Sequence, residues 1–76
     1  MRQHKFALIF SPAELERHYY REGLSNIMVT TEQGLRIQLA LRHFTPFISD
    51  WGIRGYFLLT LDEHNRFISM QKIADI

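Results

Sequence analysis

Two stretches of this chain constrain its fold more than any other feature: NIMVTTEQGLRIQL at 26–39 and GYFLLTLDEHNRFISM at 55–70. In each, alternating apolar residues run into a short polar turn and resume on the far side. That period of two is the mark of an antiparallel strand pair with one face turned inward. Gly34 stands where a type I turn hands over to a left-handed residue, and Asn65 occupies the same place in the second hairpin. Pairing Thr31 with Leu35 sets Ile27, Val29, Ile37 and Leu39 on one face, with Met28, Thr30, Arg36 and Gln38 on the other. Pairing Leu61 with Phe67 gathers Phe57, Leu59, Leu61 and Phe67. It leaves Tyr56, Leu58, Ile68 and Met70 on the reverse face, which is too apolar to stay in water. Either a helix or a second copy of the chain is expected to cover it.

Ahead of the hairpins, QHKFALIF at 3–10 reads as a strand. Phe6, Leu8 and Phe10 share one face and Ala7 and Ile9 the other, which suggests cover on both sides. Ser11-Pro12-Ala13-Glu14 is then a helix start, with a capping serine, proline at the first helical position and the glutamate of a capping box. The helix is expected to run to Tyr20 or Arg21 and stop at Gly23. A helix of about ten residues does not hold alone in water, so Leu15, His18 and Tyr19 are its expected buried stripe. The expected fold is α+β in the order β-α-β-β-β-β, a bent antiparallel sheet or small open barrel with one helix.

The link between the hairpins, RHFTPFISDWGIRGYFLL at 42–59, holds five aromatics, a proline and two glycines. Pro46 limits the Leu41, Phe44, Phe47, Ile48 spacing to a single helical turn. Phe44 and Phe47 are expected to close the core, and Gly52 and Gly55 to allow the return into the next strand. Trp51, between Asp50 and Gly52, has little to pack against. Either it folds back over the hairpin edge, or it is the candidate contact anchor.

Seventy-six residues make a single small domain, residues 1–76. A chain of this size buries only roughly 60% of its unfolded surface. Without cysteine it gains no disulfide and no thiolate metal site, which fits a reducing, cytoplasmic setting. The apolar run Phe6–Phe10 is too short for a signal peptide, and nothing approaches a membrane span. Nine Lys plus Arg stand against eight Asp plus Glu, and seven of the nine are Arg. That balance lacks the basic excess of a dedicated duplex binder, while arginine suits planar contacts and stacking.

The short motifs FALIFS, RHYYREG at 17–23, GLRIQL at 34–39, FTPFI at 44–48, GIRGYFLL at 52–59 and DEHNRFISM at 62–70 come in order along nearly the whole chain. Together they resemble a family of short bacterial proteins, domain of unknown function 2835. The resemblance implies a stand-alone small bacterial protein and assigns no residue a role.

His4, His18, His43 and His64 fall on four different elements with no H-x-x-x-H pair, so no metal site is expected. No nucleophile motif and no glycine-rich phosphate loop is present, so neither a catalytic activity nor a cofactor is expected. Arg17 and Arg21 are adjacent on one helix face. They suit a phosphate or an acidic partner, or simply a solvated face with Arg17 pairing Glu14 or Glu16. With the TTEQGLRI turn they also resemble the PilZ cyclic-dinucleotide domains, but Val29 and Thr31 stand where that family has its acidic or amide residue and its serine. Arg36, Gln38, Arg54, Tyr56 and Lys72 are expected to point away from the core as a basic strand face. Such faces hold single-stranded nucleic acid when aromatics are interleaved. The leading expectation is a non-enzymatic binding module, a protein-interaction or regulatory accessory protein able to form a homodimer. The alternative is a single-stranded RNA or nucleic-acid binder.

Overall fold

Phe6, Phe44 and Phe57 meet at the centre of the molecule, each at most 1% exposed. The Phe6 and Phe57 rings stack at 5.4 Å, and Phe44 stands edge-on to both, 6.3 Å from Phe6 and 5.8 Å from Phe57. These offset and edge-to-face arrangements are the ones aromatic quadrupoles favour. The computed structural model describes residues 1–18, Gly23 and 25–76. Around the aromatic centre it arranges β1 (Arg2–Phe10), α1 (Pro12–Glu16), β2 (Asn26–Thr30), β3 (Arg36–Ala40), a 3-10 helix (Leu41–Phe47), β4 (Ile53–Leu61) and β5 (Phe67–Ala74).

The strands form two antiparallel sheets, one of three strands in the order β1-β4-β5 and one of β2 and β3. The α+β content matches expectation, and the strands, expected in one bent sheet or a small open barrel, are divided between two sheets that do not close into a barrel. Among the described residues one backbone bond, from the Glu32 amide to the Lys5 carbonyl at 2.9 Å, bridges the edges of the two sheets. Both sheets turn their apolar side chains into one cluster, Ile27, Val29 and Leu39 from the small sheet and Phe6, Ile53, Phe57, Leu59 and Leu61 from the large one.

Local chemistry sets the hairpins. Val29 lies opposite Ile37 and Ile27 opposite Leu39, the expected register. Gly34 has φ 83° and Asn65 φ 63°, the left-handed residues of the two turns. At the second turn the Asp62 carboxylate accepts from the His64 and Arg66 amides, both at 2.8 Å. Bonding of that carboxylate to the Arg66 amide, more than any other influence, holds it below the usual carboxylate range. Leu61 faces Phe67 as expected, but an irregularity follows at once, and Thr60 next faces Ser69. That extra residue at Ile68 shifts the parity of the strand. Met70 lies opposite Leu59 and packs against the core instead of joining the reverse face.

Three further expectations change. Ala7 and Ile9 of β1 are exposed, Ile9 at 58%, so β1 is covered on one side only. The capping box forms, with the Glu14 amide donating to Ser11 Oγ at 3.1 Å and the Ser11 amide to Glu14 Oε1 at 3.4 Å. Regular α-helix runs from Pro12 to Glu16 and passes into π-helix at Arg17 and His18, and the expected end at Tyr20 or Arg21 lies outside the described residues. Leu15 packs against the core and His18 lies 5.3 Å from the Phe10 ring, while Tyr19, Tyr20 and Arg21 are outside the described residues. The 3-10 helix takes in Pro46, where a single turn was expected. Short 3-10 runs commonly serve as connectors of this kind. Phe44 is fully buried as expected, and Phe47 is partly buried with its ring edge-on to Phe57 at 5.3 Å.

Candidate functional site

The backbone reverses between the 3-10 helix and β4 in a tight turn, Ser49-Asp50-Trp51-Gly52. The Ser49 amide donates to the Gly52 carbonyl and the Gly52 amide to the Ser49 carbonyl, each at 2.9 Å. The Ser49 hydroxyl adds two bonds, donating to the Gly52 carbonyl at 3.3 Å and accepting from the Trp51 amide at 3.2 Å. Gly52 has φ 84°, and a Cβ placed on it would lie 2.1 Å from the Phe10 carbonyl oxygen. Only glycine fits so close to the end of β1. The turn is thereby braced from inside by its own bonds and from behind by β1, and its tip holds Trp51 at 73% exposure.

Beside Trp51 lies a shallow cleft of about 320 Å³, lined by Ser49, Trp51, Arg54, Lys72, Asp75 and Ile76. Arg54 Nη2 donates to the Ile76 carbonyl at 3.5 Å. Lys72 Nζ pairs with the Asp75 carboxylate at 2.5 Å, and this hydrogen bond, followed by the lysine charge, holds the Asp75 carboxyl below its ordinary range.

Through Arg54 the cleft adjoins the outer face of the three-stranded sheet. There Arg54 lies opposite Ile9, Tyr56 opposite Ala7 and Leu58 opposite Lys5. Ile9 and Tyr56 are 58% and 43% exposed, and Leu58 is partly buried between them and the next strand. Tryptophan, tyrosine, isoleucine and arginine thus adjoin one another on one side of the molecule. The sequence hides Ile9, because an all-apolar strand reads as covered on both faces, and only its pairing with Arg54 reveals the open one.

Of the residues singled out from sequence, the structure brings together Trp51, Arg54 and Tyr56. Arg36 and Gln38 are exposed on β3, which belongs to the other sheet. Lys72 is exposed but does not share the face of Arg54 and Tyr56. It lies opposite Phe57 and folds over Gly55, with its Cε 2.7 Å from where a Gly55 Cβ would be. The expected continuous basic face is therefore divided between two sheets and loses its lysine. Arg17 is exposed, but the expected ion pair with Glu14 or Glu16 does not form, since Glu14 is engaged in the capping box. Arg21 lies outside the described residues, so no Arg17–Arg21 pair is described.

Two further histidines have local neighbours of their own. His43 stacks on Phe67 at 3.7 Å, and burial, then the neighbouring Arg42 charge, pushes its pKa down. His64 sits in the β4–β5 turn 3.7 Å from Glu63. Among the described residues, no three His, Asp or Glu side chains gather as metal ligands would, and no helix is long and apolar enough to cross a membrane.

No curated protein and no solved structure matches this chain at a significant level. A family model does, the one described as Protein of unknown function (DUF2835), and its match runs over residues 2–73 of the 76. With nearly its whole length inside that match, the chain belongs to the DUF2835 family.

Proposed function

We propose that this chain is a non-enzymatic bacterial, cytoplasmic binding module that engages another protein through Trp51 and the adjoining outer face of the three-stranded sheet. The observation that carries this reading is the braced Trp51 turn. Four local hydrogen bonds fix the backbone that presents this ring at 73% exposure, so the turn loses little conformational freedom on contact. Exposed tryptophan, tyrosine and arginine are the side chains that dominate protein–protein binding energy. Trp51, Tyr56 and Arg54 supply all three, with Ile9 as apolar ground between strands. A regulatory or accessory role follows naturally for a small module whose exposed features are those of a contact surface.

The single-stranded nucleic-acid reading is the alternative. Its support is weaker because Arg36 and Gln38 share no sheet with Arg54 and Tyr56, and Lys72 is tied to Asp75. A cyclic-dinucleotide role for Arg17 and Arg21 has no described pair to rest on.

One comparison separates the readings. The wild-type chain and Trp51→Ala are used to capture partners from bacterial lysate, with and without nuclease. A captured protein that resists nuclease and disappears with Trp51→Ala supports the interaction reading. Capture that depends on intact nucleic acid, together with an affinity for a random oligonucleotide that falls steeply with salt, replaces it with the alternative.

A further inference from the structure

The three-stranded sheet ends in β5, which pairs only with β4 among the described residues. Its other edge is a row of amides and carbonyls awaiting partners, the template on which another extended strand can pair. Proteins commonly guard such an edge by making the strand short, by proline, by bulges or by an outward lysine. β5 has eight residues and no proline. Its one lysine is no guard, because Lys72 folds back over Gly55 and pairs with Asp75. Two irregularities, guards of the bulge kind, interrupt the β4–β5 ladder at its ends, but the segment between them, Ser69–Lys72, pairs in regular register and is left open. Ile68 and Ile73, at the two irregularities, are exposed at 46% and 47%. The other edges differ. β1 accepts a bond from Glu32 on its far side, and β3 has five residues and carries the outward charge of Arg36.

We infer that β5 is the self-association edge of this protein: two copies pair their β5 strands antiparallel about a two-fold axis, joining two three-stranded sheets into one of six. This deepens the binding reading above, rests on it only for the premise that the chain associates, and uses a different surface from Trp51. Three observations favour a second copy over an unrelated strand. An antiparallel strand is its own hydrogen-bonding complement under two-fold symmetry, so no sequence match with another protein is required. The charge of the strand is already neutralised within each copy by the Lys72–Asp75 pair, so two identical edges meet without repulsion. The accessible surface of the chain is 5430 Å², about 500 Å² above the roughly 4,900 Å² that scaling gives for a folded monomer of 9.1 kDa. That excess belongs to the surface as a whole, and it is more than half of the roughly 800 Å² that one partner contributes to a standard interface.

Sedimentation equilibrium over a dilution series tests the pairing. The wild-type chain should shift from one-chain to two-chain mass as its concentration rises to several hundred micromolar. The double variant Ile68→Lys with Ile73→Lys places like charges at both ends of the paired segment, and should weaken association at least about tenfold. Its circular dichroism and its melting at the lowest concentration should match the wild type. A one-chain mass for the wild type throughout, or undiminished association of the double variant, overturns the proposal. Should the double variant fail to fold, amide hydrogen exchange of the wild type decides. Protection at Ser69–Gln71 that grows with protein concentration supports the pairing, and protection independent of concentration overturns it. The Trp51→Ala variant keeps the two readings apart, because it should dimerise as the wild type does whether or not it loses a captured partner.

Discussion

Gly34 and Gly52 have almost the same backbone conformation, φ 83° and 84°, yet they stand in unlike surroundings. Around Gly34 nothing comes within 4 Å of where a Cβ would be. The same atom on Gly52 would lie 2.1 Å from the Phe10 carbonyl and 3.0 Å from the Pro12 nitrogen. The turn at Gly34 closes a hairpin and raises Glu32 and Gln33 into solvent. The turn at Gly52 is pressed onto the junction of β1 and α1 and raises Trp51. The difference teaches that a left-handed glycine can mean two things. At Gly34 it answers a local rule of hairpin geometry, and at Gly52 it answers a contact made across 42 positions of chain, from Phe10 to Gly52.

Substitutions that add a side chain sharpen the contrast most. Gly52→Ala meets both the left-handed backbone and the Phe10 carbonyl. It should cost clearly more than the roughly 1–2 kcal/mol that the backbone conformation alone imposes. In a domain of this size that approaches loss of the folded state. Gly34→Ala meets the backbone penalty only and should cost about 1 kcal/mol. Gly34→Val should cost more than Gly34→Asn, since asparagine tolerates the left-handed region and a β-branched side chain does not. Thermal melts of these variants check the ranking. Equal losses for Gly52→Ala and Gly34→Ala would erase the comparison.

A smaller effect is expected at Ser49, whose hydroxyl bonds the Trp51 amide and the Gly52 carbonyl. Ser49→Ala should destabilise by about 1 kcal/mol, the usual net worth of such bonds. It should also loosen the Trp51 ring, read as faster depolarisation of the fluorescence of this single tryptophan. Trp51→Ala should have the smallest effect on stability, within about 0.5 kcal/mol, because the ring leaves little behind in the core. Its cost should fall on binding. Acrylamide should quench Trp51 freely in the wild type, and a shielded ring would contradict the displayed turn.

What the sequence determined by itself was local or periodic. The capping box at Ser11 and Glu14, the left-handed Gly34 and Asn65, and the registers Val29–Ile37 and Leu61–Phe67 follow from residue types at fixed short spacings, which act wherever they occur. The turn at Trp51 was legible for the same reason, from its neighbours Asp50 and Gly52, but a ring folded back over the hairpin edge fitted it as well, and only the structure shows the ring exposed. The rest needed the assembled chain. The division of the strands between two sheets depends on which edges meet, and hairpin patterns are silent on that. The open face at Ile9 was hidden because an apolar residue reads as buried until its cross-strand partner, Arg54, is known. One extra residue at Ile68 turned Met70 from the outer face to the core, a parity change that no periodicity within β5 announces. The basic face dissolved because Lys72 found Asp75 and the space above Gly55. Short-range rules set the turns and the strands, whereas partners distant in sequence decided which faces remained open, because burial is a property of what arrives on the other side.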